Sequence, residues 1–175
     1  LLAQRVRDDL AEFTANNPAV TISAGIDVVP PHYPLYRAAE RALEALDGGA
    51  KEHPGKNAIS FLGKVVGWGA DWQMVYAEAH GLIDLREAGL PKALIQTVRA
   101  VYAQYEEARR AHPDQPYGRW EWMQAYRFNR LANQYPDHKA NIRKLQMQLM
   151  TPQTIHLAGL VARWADYLLR TKQGE

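Results

Sequence analysis

Hydrophobic residues in the first third of the chain alternate between helical and strand spacing. From Leu2 to Phe13 they recur every three or four positions, which predicts an amphipathic helix. Residues 20–29 alternate apolar with polar side chains and are rich in β-branched residues, which predicts a strand. Helical spacing returns over residues 36–46 and ends at two glycines, and the run at 58–62 predicts a short second strand. This order indicates an α/β or ferredoxin-like layer.

Beyond Trp68 the helical spacing continues to the end of the chain, interrupted only by short stretches of turn residues. The pattern predicts a bundle of four or five helices over about residues 70–172, joined by short loops. The predicted fold class is therefore α+β. We expect a ferredoxin-like arrangement of helix, strand, helix and strand at residues 1–68, followed by an all-α helical bundle at 69–175.

The composition is that of a folded protein without disulfides. Of the 175 residues, 47% are hydrophobic and 23% are charged, and the formal net charge is only +2. The absence of cysteine excludes a disulfide framework and a thiol nucleophile, and it favours a cytoplasmic protein. No apolar run reaches the roughly 18 residues that span a bilayer, and no signal peptide is recognisable, so we expect no membrane partner. Because the chain opens on Leu1 inside a helical pattern, we expect a fragment of a longer protein.

Charge is unevenly distributed along the chain. Residues 1–85 carry 7 basic and 11 acidic side chains, a net charge of −4, whereas residues 86–175 carry 14 and 8, a net charge of +6. A basic half is compatible with binding to phosphate backbones, although a charge of this size is also common on ordinary surfaces.

We predict neither catalytic nor metal-ligating residues in this chain. The segment that ends in Gly55-Lys56-Asn57 superficially resembles a phosphate-binding loop, but it lacks the first glycine and the hydroxyl residue, and it precedes a strand. The six histidines lack the spacing of a metal site, and no serine lies on a nucleophile elbow. A lysine between a helix and a strand can still reach a triphosphate as a point charge.

Arginines and aromatic residues alternate over residues 118–130. Helical geometry places Arg119, Trp122, Tyr126 and Arg130 on one side. Such a face can stack bases and hold phosphates, but aromatic residues at helical spacing usually form a core, so burial is the favoured interpretation. Together with a second basic stretch, the candidate contacts to RNA or to another subunit are Arg119, Arg127, Arg130, Lys139, Arg143 and Lys144.

The order of several short motifs resembles a known family. The motifs are TISAGI at 21–26, YPL at 33–35, AAERAL at 38–43, KNAISF at 56–61 and a following Trp68. As an ordered set, they are similar to the second palm domain of the large subunit of type III CRISPR effector complexes, a relative of the GGDEF-type nucleotide cyclases. The resemblance implies that residues 1–68 are the C-terminal part of a GGDEF-like, nucleotide-cyclase palm. The later helices, which end in ARWADYLLR at 162–170, resemble the C-terminal helical domain of that subunit in its Csm-type form.

The resemblance implies a parent enzyme that makes cyclic oligoadenylates from ATP with a divalent metal, Mg or Mn, often beside an HD nuclease domain. It also implies a complex with the small helical subunit, other subunits, guide RNA and target RNA. The metal-binding Gly-Gly-Asp-Asp turn of the family is absent here, and Gly48-Gly49-Ala50-Lys51 has no carboxylate to replace it. We therefore expect this fragment alone to be inactive and to bind neither ATP nor metal, while retaining one wall of the nucleotide pocket.

The resemblance also assigns candidate nucleotide-binding residues. Ser23 and Gly25 lie on the strand that matches the Ser-Ala-Gly strand of the family. The family lysine that follows the palm helix aligns with Lys51 after a four-residue insertion, and Lys56 is the other candidate cation. Within the predicted strand, Gly25 indicates a bulge or, less favoured, a close approach of another backbone or a ligand.

Two alternative functions remain open at this point. One is a fragment of a GGDEF-type signalling cyclase with a helical extension. The other is a helical interaction module with a small α/β cap and no nucleotide role.

Overall fold

The computed structural model describes residues 1–114 and 117–173. Its helices and strands are, in chain order, α1 Leu2–Phe13, β1 Ala24–Ile26, α2 Leu35–Ala45, β2 Ala58–Phe61, β3 Lys64–Gly67, α3 Ala70–Glu87, α4 Ala93–Ala111, α5 Arg119–Gln134, α6 Lys139–Leu149 and α7 Ile155–Gln173. A π-helical turn over Leu46–Ala50 follows α2, and a 3₁₀ turn over Pro136–His138 precedes α6. The chain divides into two compact units, Leu1–Gln73 and Met74–Glu175. The predicted α+β class, a small sheet followed by a helical bundle, is confirmed.

The sheet of the first unit has the strand order β1-β2-β3. Strand β1 runs parallel to β2, with Gly25 opposite Ser60, and β2 runs antiparallel to β3. Every residue of β2 is buried, so this strand forms the centre of the sheet.

The first strand is much shorter than the predicted strand at 20–29. Only Ala24–Ile26 pairs with β2, because the groups just before it are engaged elsewhere. The Ile22 carbonyl accepts a hydrogen bond from the Trp68 indole at 3.0 Å, and the Ser23 hydroxyl donates to the Lys56 carbonyl. The alternating pattern therefore marked an extended segment, of which three residues join the sheet.

A third strand was missed by the sequence pattern. Between β2 and β3, Leu62 and Gly63 both have positive φ angles, of 48° and 72°. Two such residues match the tight two-residue turns that the right-handed twist of a hairpin favours. The hairpin places Val66, which is 3% exposed, in the core beside Ile59.

Helix α2 does not end at the two glycines as predicted. The chain continues through them in the wide π-helical turn, which ends at the fully buried Ala50. A Cβ atom at Gly49 would lie 3.1 Å from the Ser60 Oγ atom, so the glycine lets this turn pack closely on the sheet. The remaining core of the first unit is aromatic, with edge-to-face contacts of Trp72 with Trp68 at 5.4 Å and with Phe61 at 6.3 Å.

The second unit is a bundle of amphipathic helices, as predicted. Helix α4 packs on α5 and α7, and α5 also packs on α6. Gly159 of α7 allows a close contact with α4, because a Cβ atom there would lie 2.3 Å from the Tyr102 ring. The hydrogen bond from the Tyr102 hydroxyl to Glu106 measures 2.8 Å, and burial raises the pKa of Tyr102.

Asp166 is the most buried acidic side chain of the bundle, at 5% exposure. Its carboxylate accepts a hydrogen bond from Arg170 at 2.6 Å, and the cationic groups of Lys92 and Arg99 lie 3.6 and 3.7 Å from it. Within the described part of the chain, no helix combines the length and apolar character needed to cross a membrane.

Candidate functional site

Ser23 and Lys56, two of the predicted nucleotide-binding residues, are in direct contact. The Ser23 hydroxyl donates a hydrogen bond of 2.5 Å to the main-chain carbonyl of Lys56. Lys56 has a φ angle of 60° and follows Gly55, which has a φ angle of 79°. This hydrogen bond therefore connects the loop before β2 to the segment that leads into β1. Ser23 and Lys56 thus lie together in one corner of the first unit.

Gly25 marks the closest approach between β1 and helix α2. A Cβ atom at this position would lie 2.5 Å from both the Ala42 carbonyl oxygen and the Leu46 amide nitrogen. The structure thus supplies the close backbone approach that the sequence interpretation ranked below a bulge. The glycine also lines a mostly apolar hollow of about 340 Å³ beside Val6, Ile22 and Trp68.

Lys51 forms an ion pair with Asp47 across one turn of the helical segment. The Nζ to Oδ1 distance is 2.7 Å, and both side chains are about half exposed. An exposed pair of this kind is worth little to stability, so the lysine is free to exchange its partner. Lys51 lies at the end of the π-helical turn, whereas Ser23 and Lys56 lie at the entry to the strands.

A polar groove on the first unit was missed by the sequence analysis. This palm groove has a volume of about 640 Å³, and its lining includes Asp27, Arg41, Glu44, Gly48, Gly49 and Ser60. The Arg41 Nε atom lies 2.5 Å from the Asp27 Oδ2 atom. A hydrogen bond with Tyr33 and the Asp27 carboxylate raise the pKa of Arg41, so the guanidinium remains charged at the groove. The sequence signal was Asp27, the lone acidic residue in the predicted strand.

The arginine and aromatic side of helix α5 is exposed, which corrects the burial interpretation. Trp122 is 55% exposed and Tyr126 is 59% exposed, and the Arg119 guanidinium lies 5.9 Å from the Trp122 ring centre. The opposite side contributes Trp120, at 2% exposure, to the core. We call Arg119, Trp122, Tyr126 and Arg130 the α5 face.

The six predicted basic residues do not share one surface. Arg119 and Arg130 are exposed on the α5 face, whereas Arg127 and Lys139 are partly buried. Arg143 and Lys144 are exposed on α6, where Lys144 lines a groove that also contains Glu78. The structure therefore separates the predicted set into a cationic face on α5 and a mixed-charge surface on α6.

The described residues do not fit a divalent metal by themselves. Within residues 1–114 and 117–173, no group of three or more His, Cys, Asp or Glu side chains is placed to hold a metal ion. Mg²⁺ is usually held in proteins by one or two carboxylates together with substrate phosphates and waters, so the described residues do not form a complete protein cage for such an ion.

A comparison with protein families identifies the first unit. Residues 1–60 match the family model described as Cas10/Cmr2, second palm domain. The match confirms the predicted resemblance to that palm domain for residues 1–60, and it does not extend to the helices of the second unit. Comparisons with curated proteins and with solved structures find no match. The matched residues lie entirely within the first unit.

Proposed function

Residues 1–60 carry a second palm domain of the Cas10/Cmr2 family, and on this premise we propose that the chain supplies one wall of an ATP site in a type III CRISPR large subunit. The reaction that we assign to the parent protein is the synthesis of cyclic oligoadenylates from ATP. The family match favours this function over a GGDEF-type signalling cyclase and over a module without a nucleotide role. The Gly-Gly-Asp-Asp turn, to which the resemblance assigns the carboxylates that hold the divalent metal, Mg or Mn, is not part of this sequence.

The observation that carries the nucleotide proposal is the contact between Ser23 and Lys56 beside Gly25. The hydrogen bond at Ser23 connects two segments that the sequence separates by 33 positions, and the absence of a side chain at Gly25 lets α2 lie against β1. The backbone of α2 and the following turn fills the space on the Cβ side of Gly25, so a nucleotide would meet this strand at the hollow that Ile22, Gly25 and Trp68 line. Lys56 supplies positive charge for phosphates at this corner, and Lys51 supplies it at the end of the π-helical turn.

Lys51 is the residue whose role is most directly testable. In the assembled effector complex, Lys51→Ala should weaken ATP binding and oligoadenylate synthesis by about tenfold, the expected loss of one charge-assisted contact. The matched control is Asp47→Asn, which removes the partner of the lysine without removing its charge. We expect this control to leave ATP binding unchanged or to tighten it, because the ammonium group no longer has to leave a carboxylate.

ATP titration and product analysis of both variants decide the matter. If ATP binding and turnover of both variants equal those of the wild-type complex, Lys51 forms only a surface ion pair and does not contact the nucleotide. The same measurements on Ser23→Ala test whether fastening the loop to the strand matters for the pocket.

For the second unit, we propose that the α5 face contacts RNA or a neighbouring subunit of the complex. Two exposed aromatic rings flanked by Arg119 and Arg130 offer stacking surfaces and positive charge together. Large exposed aromatic side chains are infrequent on surfaces that only face water. RNA is our first choice, since the guide and target strands are part of such complexes and the face carries no acidic member.

Charge reversal tests this assignment. We expect Arg119→Glu with Arg130→Glu to weaken RNA binding by the assembled complex and to reduce the slope of log K against log salt concentration by about 2, one for each lost phosphate contact. Arg127→Glu is the internal comparison, because its side chain is partly buried on a different side of α5. Unchanged RNA affinity and salt slope, combined with loss of a subunit from the complex, would instead assign the face to a protein neighbour.

A further inference from the structure

A groove of about 360 Å³ lies between α3 and α6 in the second unit. Its polar lining comes from Glu78 and Asp84 on α3 and from Asn141, Lys144 and Gln148 on α6, with Gly81 between the two carboxylates. Leu85 and Leu145 add apolar surface. The volume is within the range of pockets that hold small ligands or single side chains.

Glu78 is the unusual member of this α3–α6 groove. Its side chain belongs to a residue only 8% exposed, and within residues 1–114 and 117–173 no hydrogen bond or ion pair to its carboxylate is found. The Glu78 oxygens are not among the described side-chain atoms that are both fully buried and unpaired, so a donor that enters the groove can reach them. Burial raises the pKa of Glu78, and the positive charge of Lys144 opposes that shift. The carboxylate is therefore an acceptor that lines a cavity and lacks a donor.

We propose that the α3–α6 groove receives an arginine side chain of a partner protein, with Glu78 as the carboxylate that pairs with the guanidinium. A guanidinium carries five donors in a planar fork, and the groove offers two carboxylates and two amide oxygens as acceptors. Leu85 and Leu145 provide apolar contacts for the aliphatic stem. The charged side chains of the lining add up to a net negative charge, which favours a cation.

Other ligand classes fit this groove less well. An anion would meet two carboxylates against one ammonium group. A divalent metal would find only two acidic ligands, and no metal-binding cluster is present among the described residues. The proposal does not depend on the nucleotide site, which lies in the other unit, so the two can fail separately.

The test is an NMR titration of the full chain with the tripeptide acetyl-Gly-Arg-Gly-amide at millimolar concentration. The matched ligand is the same peptide with citrulline, which keeps the shape of arginine and removes its charge. We expect saturable shifts of the Gly81 and Asn141 amide signals with the arginine peptide and a drop in the apparent pKa of Glu78, because a bound cation stabilises the carboxylate. The citrulline peptide should produce neither change.

Three variants separate charge, space and folding. Glu78→Gln should weaken binding of the arginine peptide by about tenfold or more, as expected when a charge-assisted hydrogen bond is lost. Gly81→Leu should block binding by filling the groove, since a Cβ atom at Gly81 meets nothing within 4 Å and the fold can accept a side chain there. Gly81→Ala is the control for the helix, and it should retain binding.

The proposal is overturned by any of three results. The first is an absence of shifts at Gly81 and Asn141 with the arginine peptide. The second is equal binding of the arginine and citrulline peptides. The third is undiminished binding by a folded Glu78→Gln protein.

Discussion

The two units use amphipathic helices in opposite ways. In the first unit, α1 and α2 have no buried residue, and Phe13 and Leu35 are 89% and 84% exposed. In the second unit, α4, α5 and α6 each direct one apolar side into the bundle, where Leu149 is fully buried, although Trp122 and Tyr126 of the α5 face remain exposed. Identical sequence periodicity thus leads to buried faces in one unit and exposed faces in the other.

The difference shows that hydrophobic periodicity predicts a helix but does not predict whether another element packs against its apolar face. Burial of apolar surface stabilises the folded state by roughly 25 cal/mol per Å². The helices of the bundle gain this stabilisation because they pack against one another. In the first unit the sheet, the π-helical turn and Trp72 form the core, while the apolar faces of α1 and α2 remain available. Exposed apolar faces of this kind are typical of surfaces that contact other protein segments.

The largest expected contrast is between a buried and an exposed leucine. Leu149→Ala should lower the free energy of unfolding by about 3 kcal/mol, because it leaves a cavity in the bundle. Leu35→Ala should change that free energy by less than about 0.5 kcal/mol, because the side chain is exposed. Urea unfolding followed by circular dichroism measures both. A comparable cost for the two would mean that the α2 face is covered within this chain.

A smaller effect is expected where α2 meets the sheet. Gly25→Ala should destabilise the first unit by about 2 kcal/mol, because the added methyl group collides with the backbone of α2 and the following turn. Gly48→Ala is the matched control, since a Cβ atom there meets nothing within 4 Å. Hydrogen exchange at the β2 amides reports on the first unit alone. Equal protection in the two variants would contradict the close approach.

The smallest expected effect concerns the buried carboxylate of the second unit and depends on pH. Because the pKa of Glu78 is raised above its ordinary value of 4.5, the folded state holds the proton more tightly than the unfolded state. The wild-type chain therefore loses stability relative to Glu78→Gln as the pH rises above 4.5 through the folded-state pKa, and the two converge at lower pH. Urea unfolding at several pH values measures the difference. A gap that widens on acidification would contradict the assignment.

Much of the fold was predictable because it depends on local rules. The helices follow from apolar spacing, which predicted a bundle of four or five, and the described residues form five helices, α3 to α7. The predicted strand at 20–29 was too long, because the alternating pattern does not show that the Trp68 indole donates a hydrogen bond to the Ile22 carbonyl. The β2–β3 turn was missed because Leu62 at positive φ is not a typical turn residue.

The candidate sites were less predictable, because they depend on which distant residues meet. The sequence nominated Ser23, Lys51 and Lys56, but only the structure paired Ser23 with Lys56 and Lys51 with Asp47. It also exposed Trp122, which helical spacing alone favoured as a core residue. The local pattern around Glu78 did not indicate that this residue is buried or that, among the described residues, its carboxylate accepts no hydrogen bond.

By itself, the sequence determined the helical periods, the switch from a mixed to an all-helical region and the ordered motifs that identify the palm domain. These properties are local, because they depend on residue spacing and on the conformational preferences of glycine, proline and β-branched residues. Tertiary structure decided which amphipathic faces are covered, where α2 touches the sheet and which charges find partners. Those outcomes depend on contacts between residues far apart in the chain. The burial and the partners of a carboxylate or an apolar face are therefore decided by the residues that pack beside it.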